Sequence, residues 1–419
     1  MYRPDSKFVA LFLCSSALLI GCGDDEATGQ ASGTGASAGA AGSAGSAGSG
    51  GAGGTSGAGG ASAIPAPGEL RVIEPGAPTI CSRDTPFRYF VRGGDPKKIV
   101  IDFQGGGACW NALTCYVAGS IFNEAAPTAA AIEAAVKNET FGGIYRFDKA
   151  ENPIAGFTFV HIPYCTGDVH WGDATVEYSA DVKIQHKGFV NSQEVLKWVY
   201  ANYDPDQILV TGCSAGAYGA IGHSAWIAQQ YPNAKVSVLA DSGCGVVSDT
   251  FFKESFPNWN AQLPTFVTDL QGKDINTLSI VDLYTAVAKD FPNVRFAQQT
   301  AAFDKDQTTY YTVMGGVEAD WSPKMQQTLV DISAGATNFS YYLSPGPVHC
   351  IHPYDLMYSR TTGGMQYTTW LDQLVSGASA PATAKCDGAG CQDDAFCNAC
   401  AAKTETDPAC KWCEGWPKP

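Results

Sequence analysis

From about residue 70 the chain alternates short apolar runs with segments of helical spacing. The runs at 98–103, 157–162, 208–211, 236–240, 294–298 and 339–343 carry Val, Ile, Leu, Phe and Tyr with little polar alternation, which predicts strands covered on both faces. Between them, 192–203 puts Val195, Leu196, Val199 and Tyr200 on one helical face, and 215–230 reads as a second helix rich in Ala and Ile. Strand followed by helix, repeated, predicts an α/β fold: a mostly parallel sheet flanked by helices. In such sheets reactive groups collect beyond the carboxyl ends of the strands. The expected catalytic domain spans 65–380.

The first 64 residues break this pattern. Arg3 and Lys7 precede an apolar run at 8–20 that ends in Leu19, Ile20, Gly21 and Cys22. The run is shorter than the roughly 20 residues needed to cross a bilayer, and residues 1–22 resemble a bacterial lipoprotein-type signal peptide, with Cys22 as the lipidated residue. Residues 23–64 are almost entirely Gly, Ala, Ser and Thr in the part after 27, with no hydrophobic period, and read as a disordered tether. The expected product is exported and anchored to the membrane through its lipid, at the cell surface or in the periplasm.

Composition narrows the function classes. The chain has 419 residues with 26 Lys+Arg against 41 Asp+Glu, a formal charge of −15. Phosphate binding needs a basic surface, so nucleic acid is not an expected partner. Fifteen cysteines in a chain with an export signal predict disulfides. Six of them lie in 386–413, a small Cys-rich module containing C-x-x-C at 397–400 and at 410–413. That spacing suits zinc, but an exported segment with so few apolar residues is better explained by disulfide staples, and no metal is expected.

Residues 212–216 (GCSAG) match the nucleophile pattern G-x-S-x-G, as do 35–39 (GASAG) inside the tether. Context separates the two. Ser214 follows an apolar strand and opens a helix, where flanking glycines allow the sharp turn that presents a serine oxygen. A serine nucleophile needs a base, and there are six histidines. His161 sits in a strand, while His186 and His223 suit packing or surface roles. His170 lies in an aromatic loop and is a pocket candidate. His349 follows the last strand-like run, where hydrolases of this chain order carry their base, with His352 as competitor. For the acid, Asp241 and Asp304 both end strand-like runs, and spacing does not choose between them; Asp306 is a nearby rival.

Taken together these residues resemble the pectin acetylesterase and Notum-type carboxylesterases, serine hydrolases with an α/β-hydrolase fold. The resemblance runs from about Cys81 to about Tyr354. It rests on 102–111 (DFQGGGACWN) with Cys115, 162–168 (IPYCTGD), the Ser214 elbow, 239–243 (LADSG), Phe303 with Asp304, and His349 with Cys350. It implies a triad of Ser214, His349 and Asp304, with Asp241 structural, and an oxyanion hole from the amides of Gly106, Gly107 and Ala215. It further implies disulfides Cys81–Cys165 and Cys109–Cys115. Of the remaining cysteines near the elbow, Cys213 is the expected free one, because a buried elbow leaves little room for a partner. Gln104 departs from the family, which often has Glu there.

The expected function is a surface-anchored or secreted serine carboxylesterase acting on short-chain acyl or acetyl esters, with an acetylated polysaccharide as one candidate substrate, as a monomer without a cofactor. A catalytically silent binding protein on the same fold, or a hydrolase of polyesters or lipids, is the alternative.

Overall fold

The computed structural model describes residues 64–117, 121–137 and 141–416, so the expected signal peptide, Cys22 and the tether up to residue 63 lie outside the described residues. The strands are β1 (Leu70–Ile73), β2 (Tyr89–Arg92), β3 (Asp95–Phe103), β4 (Phe157–Ile162), β5 (Ala174–Ser179), β6 (Val182–His186), β7 (Gln207–Cys213), β8 (Lys235–Asp241), β9 (Arg295–Ala301), β10 (Phe339–Ser344), β11 (Thr361–Thr362), β12 (Met365–Gln366) and β13 (Ala384–Lys385). The helices are α1 (Ala112–Tyr116), α2 (Ala129–Lys137), α3 (Gly188–Asn202), α4 (Ala215–Gln230), α5 (Asp249–Trp259), α6 (Ile280–Asp290), α7 (Lys305–Val313), α8 (Glu318–Gly335), α9 (Tyr367–Val375) and α10 (Ala395–Ala401). Nine of these strands form one sheet among the described residues, in the order β1-β2-β4-β3-β7-β8-β9-β10-β13. Pairing is antiparallel at β1–β2 and β2–β4 and parallel from β4 to β13.

The unbroken apolar runs have a simple cause. In β3, Ile99 and Ile101 point into one core, whereas Val100 points into the other. The same alternation places Ile208 and Val210 of β7 opposite Leu209, and Val236 and Val238 of β8 opposite Leu239. Both faces are covered, so the central positions of these strands are mostly apolar on either side. Each buried aliphatic side chain contributes about 1.5–3 kcal/mol of transfer free energy. The fold is α/β with a mostly parallel sheet, as the strand and helix order predicts, and α/β-hydrolase-like, as the family resemblance implies.

Parallel register lines up the strand ends that matter. Phe103 pairs with Gly212, Cys213 with Asp241, and Ala301 with Ser344. The loops leaving β3, β7, β8, β9 and β10 therefore emerge along one edge, and they carry Gly105–Gly107, Ser214, Ser242, Asp304 and His349.

The Cys-rich C-terminal segment is built into this body. β13 extends the sheet beside β10, and Phe396, Ala409 and Trp412 join the core under Tyr342 and Trp370. Its cysteines pair as Cys386–Cys391, Cys397–Cys413 and Cys400–Cys410. Arg360 holds both oxygens of Asp394 at 2.6 and 3.2 Å, with both side chains buried. Removing one partner of such a pair strands the other charge. Arg360→Met should therefore lower unfolding free energy by about 3–5 kcal/mol in urea titration, with part of the loss recovered in Arg360→Met/Asp394→Leu. A loss below about 1 kcal/mol, the value of an exposed pair, would refute this account.

Candidate active site

The elbow is a steric construction. Ser214 joins β7 to α4 with φ 58° and ψ −122°, a conformation that costs a non-glycine residue roughly 1–3 kcal/mol. Its N–H donates to the Asp241 carbonyl at 2.8 Å, and its hydroxyl caps no helix amide. A Cβ on Gly216 would come within 1.8 Å of the Phe103 carbonyl oxygen, and one on Gly212 within 2.3 Å of the Gly216 carbonyl. The two glycines let α4 sit directly against β3 and β7, which pushes the serine out at the strand end.

Asp304 follows β9 and caps α7. One carboxylate oxygen accepts the amide N–H groups of Asp306 and Gln307 at 3.1 and 3.0 Å, and the other accepts the Gln307 side-chain amide at 2.9 Å. The side chain is fully buried. A helix N-terminus offsets part of the cost of holding this charge away from water. Both oxygens lie 2.9 Å from His349 Nδ1. His349 stands on the loop after β10, is buried, and its Nε2 makes no hydrogen bond among the described residues. Burial alone would lower its pKa, but Asp304 and then Asp306 more than offset this, and the imidazole is carried up to about 9.

Asp241 has a different task. Its carboxylate accepts the N–H groups of Ile351 and His352, each at 2.9 Å, while its own carbonyl accepts from Ser214. Ser242 Oγ accepts the Cys350 N–H at 2.9 Å. Asp241 thus holds the base-bearing loop against the elbow and lies off Nδ1 of His349. His352, the competing base, has Nε2 2.6 Å from the Tyr367 hydroxyl and Nδ1 3.2 Å from Thr211 Oγ1, and burial lowers its pKa. Neither ring nitrogen of His352 is turned to Ser214.

The cysteines correct one expectation. Cys213 is not free: it forms a disulfide with Cys350, the residue after the base. The in-register end of β7 lies under the loop that Asp241 pins, so the elbow that was expected to lack room has a partner directly above it. The free thiol among the described residues is Cys244. It is buried, with Sγ 2.9 Å from Gln307 Oε1, and burial raises its pKa, which leaves it a protonated, unreactive thiol. Cys81–Cys165 and Cys109–Cys115 are also bonded.

The other histidines serve packing. His170, His186 and His223 are buried, and burial lowers them to about 3, 4 and 4. The His170 ring faces the Gln104 carbonyl at 2.9 Å, behind the site. His161 is bonded to Asp102 at 2.6 Å on the far side of β3.

Gly106 and Gly107 adopt φ 148° and 77°, and their loop is tied by Asn123, whose N–H donates to the Gly106 carbonyl at 2.9 Å. A Cβ on Gly107 would meet the Ile121 carbonyl at 1.9 Å. Gly107, Ser214, Ala215, Asp306 and His349 line one cavity of about 100 Å³; Gly106 is not part of its wall. The rest of the wall is mostly apolar, with Phe251, Phe256 and Trp259 of α5, Leu283 of α6, and Met314, and includes Ser242, Ser279 and Gln307. Periodicity gives no sign that these side chains converge. Trp412 is a second unforeseen participant: its ring packs edge-on against His349 at 5.4 Å, and its Nε1–H donates to the Tyr354 hydroxyl at 3.0 Å.

Comparison with known proteins agrees with this architecture. A family model of pectinacetylesterases matches residues 80–269, a stretch that holds Ser214 and Asp241 and stops before Asp304 and His349. Among solved structures, the Wnt deacylase Notum from Drosophila is similar with a TM-score of 0.55 at 14% identity, over 76% of this chain and 96% of that one. No curated protein sequence matches the chain. Residues 80–269 are thus a pectinacetylesterase-family region, set in a chain whose α/β-hydrolase-like fold is shared with Notum.

Proposed function

We propose that the protein is a serine carboxylesterase in which Ser214 attacks the ester carbonyl, His349 takes and returns the proton, and Asp304 orients the imidazole. The observation that carries this reading is the Asp304–His349 pair at the edge of the cavity into which the strained elbow presents Ser214. The hydrogen bond from Ser214 to Nε2 forms when the ester is bound, as is common for catalytic bonds that are loose in the free enzyme. The amides of Gly107 and Ala215, with Gly106 behind them, stand where the carbonyl oxygen becomes an oxyanion. Water then attacks the acyl-enzyme, with His349 again as base.

The cavity also bears on the acyl group. On the same measure one water-sized group needs roughly 10–15 Å³, whereas the cavity offers about 100 Å³ of apolar space. The acyl range we propose therefore runs from acetyl to medium-chain groups, and the larger ones fill the space better. A net charge of −15 gives no attraction to a polyanionic alcohol such as a pectin chain. We also propose that the enzyme is exported and tethered through lipidated Cys22. Cys22→Ser should move it from the membrane to the soluble fraction; unchanged fractionation would remove the anchor from the reading.

Ser214→Ala should abolish hydrolysis of p-nitrophenyl esters from acetate to decanoate, and a fluorophosphonate should label Ser214 alone. Turnover by the folded Ser214→Ala protein would end the serine mechanism. Asp304→Asn should lower kcat by about 10⁴-fold, the benchmark for an amide that fixes the wrong imidazole tautomer, with little change in KM. Asp241→Asn should act on stability instead. It weakens two buried amide bonds, for a loss of about 1–3 kcal/mol in urea titration and a smaller kinetic defect in the folded fraction. Equal kinetic losses in the two variants would reject this division of labour.

A further inference from the structure

Asp306 occupies an unusual place. It is the second residue of α7, a position where an acidic side chain ordinarily points to solvent and favours the helix N-terminus. Here the residue is buried at 8% exposure, forms part of the cavity wall, and sets Oδ2 3.3 Å from His349 Nε2. Asp304 holds the opposite nitrogen, so the imidazole lies between two carboxylates. A buried carboxylate is costly unless a positive charge faces it. The charge available at contact distance is the imidazolium, with Lys411 of the C-terminal segment acting more weakly on Asp306.

We propose that Asp306 is a second carboxylate partner of His349 that keeps its Nε2 protonated in the free enzyme, so that the base becomes available only when that proton is released, and that Asp306 thereby sets the acid limb of activity. The inference rests on the triad reading for its kinetic part alone. The proton balance is simple. The imidazolium gives its Nε2 proton to hydroxide or buffer base, Nε2 then accepts the Ser214 hydroxyl hydrogen bond, and attack transfers the serine proton back to Nε2.

Asp306 acts on this ring beside two other carboxylates. Asp304 binds Nδ1, fixes the tautomer and favours the imidazolium most strongly. Asp241, at the end of β8, favours it less and accepts the amides of Ile351 and His352. Asp306 is the carboxylate that lies beside Nε2. From the C-terminal segment the ring meets Trp412, which carries no charge, while Lys411 acts on Asp306. The Cys213–Cys350 disulfide beside the ring is neutral, as is Ser214 across the cavity. Against the effect of burial, the carboxylates carry the imidazole up to about 9. Since only the neutral ring can act as base, activity should rise with pH and level off above that value.

Two measurements on the full chain test this. The first is the titration of ¹³C-labelled His349 by NMR in Ser214→Ala, with and without Asp306→Asn, which needs no catalysis. The second is kcat/KM for a neutral ester, and the rate of fluorophosphonate labelling, from pH 5 to 10 in wild type, Asp306→Asn and Asp306→Ala. Loss of Asp306 should move the His349 titration and the acid limb down by about one to two pH units. At pH 7 this appears as a roughly 10- to 50-fold gain in kcat/KM relative to each protein's own alkaline plateau. An unmoved His349 titration in the Asp306 variants overturns the pairing, and an unmoved acid limb in both variants overturns its kinetic consequence. Absence of Ser214 labelling at every pH is a separate result that sinks the serine mechanism, while the NMR shift still decides whether Asp306 holds the proton.

Discussion

A buried carboxylate that must be satisfied from several loops at once organises this site. Asp241 ends β8 with no exposure to solvent, and burial pushes its pKa up. The amides that offset that cost belong to Ile351 and His352, far along the chain, and its own carbonyl is taken by the Ser214 amide. One residue therefore fixes the distance between the elbow and the loop that bears His349. The Ser242 hydroxyl and the Cys213–Cys350 disulfide fasten the same two segments. Ser214, Ser242 and Cys350 all hold positive φ at this junction, which is affordable because each is over-determined by its neighbours.

The electrostatics of His349 follow from that packing. His349 is out of water, a condition that favours the neutral ring. Asp304 comes with a capped helix end and bonds Nδ1; Asp306 comes with the first turn of the same helix and lies beside Nε2. A single structural choice, α7 beginning immediately beyond β9, thus delivers both carboxylates to one imidazole. The C-terminal segment closes the other side with Trp412, held by Tyr354 and by the disulfide from Cys397 to the adjacent Cys413. What reads in sequence as a separate staple-rich module is a wall of the site.

The cavity separates the substrate question into two halves. Its aromatic and aliphatic wall favours an apolar acyl group, whereas the acidic chain as a whole gives no attraction to an anionic alcohol. The pectinacetylesterase-model match of residues 80–269 and the Notum-like fold support the proposed ester hydrolysis without specifying its acyl group or alcohol. In the proposed esterase, acyl size is read by the wall that α5, α6 and the end of α7 supply.

Much of the fold was legible because it is local and periodic. The run at 157–162 is β4 and the helix at 215–230 is α4, residue for residue, since β4 is a mostly apolar run closed by Pro163 and α4 is bounded by the Ser214 elbow and Pro232. The helix at 192–203 begins four residues earlier, at Gly188, because a glycine opens it and no capping side chain marks its start. Ser214 could be singled out from strand, glycines and helix together, all within a few residues. The choice of Asp304 over Asp241, of His349 over His352, and of Cys244 over Cys213 as the free thiol could not be read from spacing. Each depends on which loops meet above the sheet, a long-range relation set by strand order and parallel register. The same reason hid Asp306 and Trp412, whose meaning comes entirely from the imidazole that tertiary packing places against them.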